Sequence, residues 1–257
     1  MTANRATVQD RGAALVTGAG RRVGRAIALG LAEEGYAVGV HYNGSATGAD
    51  ETVAMIEQAG GRAVALKHDL TAADTAGGLI GLTRDAFGPV NALVNSASLF
   101  DEDQLETLDL ASWRQLIDVN LTAPVFLMQA FARQDPTPSN AAIVNILDTQ
   151  MTSALPDRFS YFCGKFGLDG ATRLASLDLA RKGITVNALA PGLVLPSGQT
   201  VEEFEHRQAL TPLGQGLGTD DIVDAVKYLI SARQVTGHTL VVDAGQRLMG
   251  FGNMPTA

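Results

Sequence analysis

Short apolar runs alternate with longer amphipathic segments along most of this 257-residue chain, and this alternation most limits the folds that it can adopt. Several runs are apolar almost throughout, as in strands of a parallel sheet whose two faces are both covered. Between them, apolar residues recur at helical spacing, as at Val23, Ile27 and Leu31. The strand candidates are Ala13–Thr17, Ala37–His41, Ala63–Lys67, Ala92–Asn95, Ala141–Ile146, Thr185–Leu189 and Thr239–Asp243. The pattern predicts an α/β protein, with one doubly wound domain, a central parallel sheet of about seven strands and helices on both faces.

The domain organisation is expected to be simple. The most linker-like stretch, Asp135–Asn140, is too short to indicate a domain boundary. We therefore expect a flexible N-terminus over residues 1–12 and one domain over residues 13–257.

Charge and composition exclude several classes of partner. The net charge is −8 and no block of Lys or Arg stands out, which argues against nucleic acid and against an anionic membrane surface. No segment is long and apolar enough to predict a membrane span, and residues 1–12 lack the apolar core of a secretory signal. The single cysteine, Cys163, fits a reducing compartment, and the 4 histidines show no metal-ligand spacing. We expect a cytoplasmic protein that binds a small molecule and no metal.

A glycine-rich loop, Thr17–Gly24, follows the first strand candidate and opens the first helix candidate. Small residues let the backbone approach phosphate groups, and the helix N-terminus offers free N–H groups and the positive end of its dipole. An ordinary glycine-rich turn is the alternative. As a dinucleotide site, the loop would contact the cofactor through Gly18, Gly20, Arg21, Arg22, Val23 and Gly24.

The end of the second strand candidate indicates which dinucleotide would bind. A carboxylate there would bind the ribose hydroxyls of NAD and repel the 2′-phosphate of NADP, and none is present. Arg21 and Arg22 stand in the neighbouring loop, although they could also simply solvate a helix start. The pattern favours NADPH over NADH. The cofactor-binding residues expected here are His41, Tyr42, Asn43 and Ser45.

Tyr161 and Lys165 stand four residues apart at the head of a helix candidate that runs to about Lys182. That spacing places both on one helix face, so the ammonium can approach the phenol. A nearby cation lowers a tyrosine pKa and makes the phenol a useful proton donor or acceptor. A chance pair is the alternative. We expect Tyr161 to exchange protons during catalysis, with its pKa lowered by Lys165.

Together these motifs resemble the short-chain dehydrogenase/reductases, from Ala13 to about Leu248. Further landmarks follow in the family's order, and the resemblance implies a Rossmann-type domain, a nicotinamide cofactor and a homotetramer. It implies that Asp69 and Leu70 border the adenine, that Asn95, Ser96 and Ala97 hold the cofactor, and that Pro191, Gly192 and Val194 lie near the nicotinamide. It also implies that Lys165 binds the nicotinamide ribose, that Asn120 holds a water in a proton relay, and that the helix candidate Val201–Leu210 is a mobile flap.

Two departures narrow the resemblance. In the first, Arg22 stands where the family's usual loop has a Gly, which places a long cation beside the cofactor phosphates. The second concerns a catalytic position. Members usually carry a Ser thirteen residues before the catalytic Tyr, and here Asp148 takes that position. A carboxylate would repel the alkoxide that develops from a ketone, unless it were protonated. It suits a substrate that offers N–H donors or a ring nitrogen that needs a proton.

Pteridine reductases share this Asp, and the chain is similar to them in other segments: the paired arginines, the His41-Tyr42 strand end and the run Asn95–Phe100. The similarity implies that Phe100 stacks on a pterin and that Arg22 and Ser98 contact the pterin and the cofactor phosphates. A plain core aromatic is the alternative for Phe100.

Three functions remain open at this stage. The first is an NADPH-dependent reductase of a dihydropterin or dihydrofolate-like C=N bond, with Asp148, Tyr161, Lys165 and Asn120 as catalytic residues. The second is a carbonyl reductase of the same family, acting on a 3-oxoacyl thioester, a sugar or another ketone. The third is a cofactor-binding regulatory protein without turnover, which the missing Ser would explain.

Overall fold

One parallel sheet organises the protein, and the computed structural model describes it over residues 10–154 and 156–249. Its 7 strands lie in the order β3-β2-β1-β4-β5-β6-β7, and every pair is parallel. Chain order reverses between β1 and β4, as in doubly wound folds. The strands are β1 (Ala13–Val16), β2 (Ala37–Tyr42), β3 (Ala63–Lys67), β4 (Val90–Asn95), β5 (Ala142–Ile146), β6 (Thr185–Pro191) and β7 (Thr239–Val242). The predicted doubly wound α/β fold is confirmed.

Helices connect the strands and cover both faces of the sheet. They are α1 (Arg22–Glu33), α2 (Ala46–Gln58), α3 (Gly78–Phe87), α4 (Leu110–Ile117), α5 (Ala123–Ala132), α6 (Phe159–Leu179), α7 (Val201–Ala209) and α8 (Thr219–Ser231). A π-helical turn, Asp118–Thr122, joins α4 to α5, and a 3₁₀ turn, Ala180–Lys182, continues α6. In the described part of the chain, no helix has the length and apolarity needed to cross a membrane.

Alternation along the strands builds two apolar layers. In β1, Ala14 and Val16 pack toward α1 and α8, whereas Leu15 packs toward α3 and α5 on the opposite face. Successive strand residues point to opposite faces, so both sides of this central strand are buried. Each fully buried leucine of this kind contributes roughly 1.5–3 kcal/mol relative to exposure. The nearly uniform apolarity of the predicted strands follows from these two layers.

Several predicted boundaries shift by one or two residues. β4 begins at Val90, before the predicted Ala92, because the Gln134 side chain satisfies both the N–H and the C=O of Val90. β1 ends before the predicted Thr17, whose Oγ1 accepts hydrogen bonds from the N–H groups of Ser96 and Ala97. These side-chain contacts come from distant segments, so local patterning does not reveal them.

The last residues of the N-terminal segment that was expected to be flexible, Arg11 and Gly12, form hydrogen bonds with the rest of the domain. Residues 1–9 lie outside the described residues, as do Leu155 and residues 250–257 of the expected domain. Gly12, however, is held in place, because its C=O accepts from Ala37 N–H at 2.9 Å. Arg11 likewise donates its backbone N–H to Gly35 and pairs with Glu34 at 3.2 Å. Arg11 and Gly12 are therefore attached to the sheet domain that was expected to begin at Ala13.

The candidate site lies at the carboxyl ends of the strands. The segments that follow β1, β2, β4, β5 and β6 all emerge at that edge, where open α/β sheets bind ligands.

Candidate functional site

Asp148 and Tyr161 form a direct hydrogen bond at this edge. Asp148 follows β5, and its Oδ1 accepts from the Gln150 N–H at 2.7 Å, so the carboxyl caps a short 3₁₀ turn. Tyr161 lies in the first turn of α6, and its hydroxyl donates to Asp148 Oδ2 at 2.8 Å. The structure thus brings together the two side chains that stand thirteen residues apart in the sequence.

Lys165 lies one helical turn beyond Tyr161 and is buried. Its ammonium donates to the backbone oxygen of Ile146 at 2.9 Å, which ties α6 to the end of β5. The Nζ atom lies 5.6 Å from the centroid of the Tyr161 ring. The two side chains share one face of α6, as their spacing predicts.

The protonation of this group differs from the sequence-based expectation. Burial and the neighbouring Asp148 carboxylate raise the pKa of Tyr161 well above its ordinary value, instead of Lys165 lowering it. Burial also raises the pKa of Asp148, against the opposing effect of its hydrogen bonds to Gln150 and Tyr161. Burial lowers the pKa of Lys165 to about 8. Desolvation therefore outweighs the cation, and Tyr161 is a neutral phenol that donates to a carboxyl group.

Asn120 lies on the π-helical turn, close to Gly164 of α6, and is fully buried. Its Nδ2 donates to the backbone oxygens of Leu99 at 2.9 Å and Leu116 at 3.0 Å. Its Oδ1 accepts from the Ser98 hydroxyl at 2.7 Å. Asn120 therefore fixes the segment after β4, and Ser98 directs its proton to Asn120. π-Helical turns are rare and often occur at functional sites.

Phe100 packs at the edge of the site and is 38% exposed, which is unlike a core aromatic. Its ring meets that of Tyr161 at 84° with 4.7 Å between centroids. The Arg158 guanidinium lies 4.4 Å from the Phe100 centroid, in cation–π geometry. The sequence interpretation missed Arg158, because no local pattern indicates that a residue before α6 meets the segment after β4.

The Thr17–Gly24 loop forms a cradle that side chains would fill. A Cβ at Gly24 would lie 2.3 Å from the Gly18 oxygen, and one at Gly18 would lie 2.9 Å from the Ala97 Cα. Arg22 adopts φ 55°, a left-handed conformation that explains why the resembling family usually has glycine there. The side chain of Arg21, the N-cap of α1, forms no capping hydrogen bond. A narrow backbone cradle at a helix N-terminus fits the pyrophosphate of a dinucleotide.

Two arginines anchor this loop to neighbouring segments. Arg22 Nη1 donates to the Pro196 oxygen at 2.8 Å and so connects the loop to the chain after β6. Arg25, which the sequence interpretation missed, donates from Nη2 to the Gly20 oxygen at 2.8 Å and pairs with Glu51 at 2.8 Å. Arg25 lies on the first turn of α1, one residue after the glycine-rich loop, so its position in the sequence could have indicated a contact with that loop.

His41 supports the loop from behind and is almost fully buried. Its Nδ1 accepts from Gly18 N–H at 3.1 Å, and its Nε2 lies 3.1 Å from the His68 oxygen. An acceptor Nδ1 and a donor Nε2 require the neutral ring, and burial lowers the pKa of His41 to about 4. Both ring nitrogens are engaged within the protein, so the His41 ring supports Gly18, and a contact of this residue with the cofactor stays a prediction. Tyr42 and Ser45 are half-buried, and Asn43 is exposed.

Asn95 offers an unsatisfied acceptor at the end of β4. Its Nδ2 donates to Asn145 Oδ1 at 2.8 Å, and its own Oδ1 is buried without a hydrogen-bond partner among the described residues. A buried polar atom of this kind requires an explanation, and a cofactor hydroxyl is one. The backbone N–H groups of Ser96 and Ala97 both donate to Thr17 Oγ1, at 2.9 Å.

The remaining predicted cofactor residues are spread around the same edge. Asp69 is exposed and accepts from Thr71 N–H at 3.0 Å, whereas Leu70 is buried in the core. Gly192 donates its N–H to the Val242 oxygen at 2.8 Å, and Val194 is buried against the layer that contains α1. The predicted flap helix extends over Val201–Ala209, one residue shorter than expected.

The comparisons with known proteins agree with this geometry. A model of the Enoyl-(Acyl carrier protein) reductase family matches residues 18–247. The chain is 34% identical to a 3-oxoacyl-[acyl-carrier-protein] reductase of Synechocystis sp. over 235 residues, 90% of this chain and 95% of the relative. It is 35% identical to 3-oxoacyl-[acyl-carrier-protein] reductase FabG of Staphylococcus aureus over 237 residues, with 90% and 96% covered.

Two solved structures are also similar. One is FolM alternative dihydrofolate reductase 1 from Brucella canis, complexed with NADP, with a TM-score of 0.87, 35% identity and coverage of 95% of this chain and 96% of that one. The same reductase from Brucella suis, in complex with NADP, gives a TM-score of 0.87 and 36% identity, with 93% and 96% covered. With the Tyr161/Lys165 pair, the glycine cradle and the seven-stranded parallel sheet in place, the chain belongs to the short-chain dehydrogenase/reductase family of oxidoreductases.

Proposed function

We propose that this protein reduces a C=N bond of a dihydropterin or dihydrofolate-like substrate with NADPH. The observation that carries the proposal is the 2.8 Å hydrogen bond from the Tyr161 hydroxyl to Asp148 Oδ2. A carboxyl group at this position can accept N–H groups of a pterin or supply a proton to a ring nitrogen. The relatives named as dihydrofolate reductases share the fold at a TM-score of 0.87.

The residues at the carboxyl edge fit NADPH. The Gly18–Gly24 cradle and the start of α1 would hold the pyrophosphate, and Arg21 or Arg22 would pair with the 2′-phosphate. The unsatisfied Asn95 Oδ1 would accept a ribose hydroxyl, and Lys165 would contact the nicotinamide ribose. When bound, NADPH supplies the hydride that adds to a ring carbon of the substrate.

Asp148 and Tyr161 together would supply the proton. Reduction of C=N needs one proton on the nitrogen for each hydride on the carbon. Burial raises the pKa of Asp148, so its carboxyl holds a proton more readily than an exposed aspartate does. After that proton passes to the nitrogen, the Tyr161 hydroxyl stabilises the remaining carboxylate through its hydrogen bond to Oδ2. Solvent then restores the proton on Asp148.

Lys165 and Asn120 would keep this pair in place. The Lys165 ammonium fixes α6 against the oxygen of Ile146, the last residue of β5, which lies two residues before Asp148. Asn120 fixes the Leu99 backbone, which precedes Phe100. Both groups are buried, so they restrict the motion of the reacting groups without contact with bulk water.

A carbonyl reductase is the second candidate, and the sequence relatives favour it. The Synechocystis and Staphylococcus relatives are both 3-oxoacyl-[acyl-carrier-protein] reductases. In this protein the oxygen of a ketone would face Asp148, whose ionised form repels an alkoxide. Reduction of a ketone would therefore require protonated Asp148.

Side-by-side assays of NADPH oxidation test these alternatives. The substrates are a dihydropterin, dihydrofolate and a panel of ketones that includes a 3-oxoacyl thioester. We expect turnover of the dihydropterin or dihydrofolate and little turnover of ketones. Turnover of ketones alone would overturn the proposal in favour of the second candidate, and binding of NADPH without any turnover would favour the regulatory alternative.

We further propose a cytoplasmic homotetramer. The outer side of α6 exposes large apolar residues, with Leu174 71%, Leu177 77% and Phe166 49% exposed. Exposed apolar groups on one helix indicate a surface that another chain covers. Light scattering coupled to size-exclusion chromatography should give four times the mass of one chain. A monomer in that measurement would contradict the proposal.

A further inference from the structure

Arg158 contacts Phe100, the aromatic residue at the edge of the candidate substrate site. Its guanidinium lies 4.4 Å from the Phe100 centroid, and Phe100 in turn lies 4.7 Å from the Tyr161 ring. The three side chains are therefore in contact from the rim of the site to the phenol, and the Phe100 and Tyr161 rings meet edge to face at 84°.

The guanidinium is held in one orientation by two carboxylates. Arg158 Nη2 lies 2.8 Å from Glu102 Oε1, and Nη1 lies 3.0 Å from Asp157 Oδ2. The Arg158 side chain is only 19% exposed, whereas Glu102 is 72% exposed. Because both ends of the planar fork are paired, the guanidinium is held in this position, 4.4 Å from the centroid of the Phe100 ring.

The backbone joins the same two segments. Asp103 N–H donates to the Asp157 oxygen at 2.9 Å, and Phe159 N–H donates to the Asp103 oxygen at 3.3 Å. Asp103 Oδ1 also accepts from the Ser160 N–H at 3.0 Å. The segment that carries Phe100 is thus attached to the start of α6 independently of Arg158. A change at Arg158 is therefore expected to leave the attachment in place and to act mainly on the ring.

The two carboxylates that pair with the Arg158 guanidinium limit the roles that it can have in substrate binding. Two paired carboxylates leave it little net charge to offer an anionic substrate group, so its cation–π contact with the Phe100 ring is the interaction that remains. We propose that Arg158 is a positioning residue that holds Phe100 against Tyr161, so that the 38% of Phe100 left exposed receives the flat ring of the substrate. This inference rests on the proposed pterin function.

The test compares Arg158→Gln and Arg158→Lys with wild type. Arg158→Gln should raise the KM for a dihydropterin by about tenfold, with kcat and the KM for NADPH changed less than twofold, since a desolvated cation–π contact has about this strength. Arg158→Lys keeps the charge and should recover part of the loss. The dissociation constant of oxidised biopterin, from quenching of its own fluorescence, should rise in parallel.

A double-mutant cycle separates positioning from a general effect. If Arg158 acts through the ring, Arg158→Gln should add little in a Phe100→Leu background. Arg173→Gln is the matched control, because Arg173 is also an arginine of the α6 region paired with an aspartate, at 2.9 Å, and it lies on the exposed surface. It should leave all parameters unchanged.

The outcomes are distinguishable. Equal losses of Arg158→Gln in both backgrounds, or a fall of kcat with a rise of both KM values, would overturn the positioning role while leaving the pterin function intact. Unchanged pterin affinity in folded Arg158→Gln would do the same. Failure of the wild type to turn over or bind any pterin, with ketones reduced, would overturn the proposed function and this inference together. If Arg158→Gln does not fold, the Lys variant and the cycle built on it decide the question.

Discussion

The two halves of the candidate site are built in different ways. On the cofactor side, after β1 and β2, glycines, backbone groups and the neutral His41 ring hold the Thr17–Gly24 loop. On the substrate side, after β4 and β5, charged and hydroxyl side chains hold one another, with Asp148, Tyr161 and Arg158 at the centre. The cofactor half is defined by close approach of backbone, and the substrate half by side-chain chemistry. Substitutions should therefore change cofactor affinity by steric means and substrate choice by chemical means.

The largest expected effect concerns Asp148 on the substrate side. Asp148→Ser should lower pterin turnover by about 10²-fold or more, the usual scale for loss of a positioned acid–base group, and should leave NADPH affinity intact. Asp148→Asn should lose turnover as well, because an amide cannot pass on the proton. Steady-state kinetics and NADPH titration measure the two effects separately. Wild-type pterin kinetics in Asp148→Ser would show that the carboxyl group is a bystander.

The next effect concerns Gly24 on the cofactor side. A Cβ at this position would lie 2.3 Å from the Gly18 oxygen, so the cradle must shift in Gly24→Ala. Overpacking of this kind costs about 1–3 kcal/mol, which corresponds to a rise of about 5- to 150-fold in the Kd for NADPH. Gly81→Ala in α3 is the control, because a Cβ there meets nothing within 4 Å and the position lies outside the candidate cofactor site. Equal Kd values for the two variants would contradict the account of the cradle.

The last prediction concerns His41, which belongs to the cofactor side but contributes to the stability of the fold. Burial lowers the pKa of His41 from 6.5 to about 4, so the unfolded chain binds the proton more readily. Its contribution to the free energy of unfolding is therefore complete above pH 6.5. It declines as the pH falls toward 4, by at most about 1.4 kcal/mol per pH unit. Urea unfolding of wild type and His41→Asn between pH 7 and 4 should show the difference between them shrinking, and a constant difference would contradict this assignment.

The cofactor half was far more predictable from the sequence than the substrate half. The Thr17–Gly24 loop is contiguous, and its spacing after an apolar strand already indicates its use. The Arg158–Phe100 contact joins positions far apart in the chain, and only the fold reveals it. The pKa of Tyr161 was predicted in the wrong direction, because spacing indicates the proximity of Lys165 but says nothing about burial. His41 was predicted to contact the cofactor from the end of the second strand, whereas only the fold reveals that its ring hydrogen-bonds Gly18 of the neighbouring loop.

The π-helical turn between α4 and α5 has a consequence for insertions and deletions. An α-helix advances about 100° per residue, since it has 3.6 residues per turn. The widened turn at Asp118–Thr122 accommodates one residue more than a regular helix would over the same rise, and Asn120 is part of it. Deleting a single residue there would restore regular winding and rotate the Asn120 amide away from Leu99 and Ser98. The orientation of the Asn120 amide thus depends on the number of residues in the segment as much as on the choice of asparagine. Substitution scans alone would not detect this dependence on segment length.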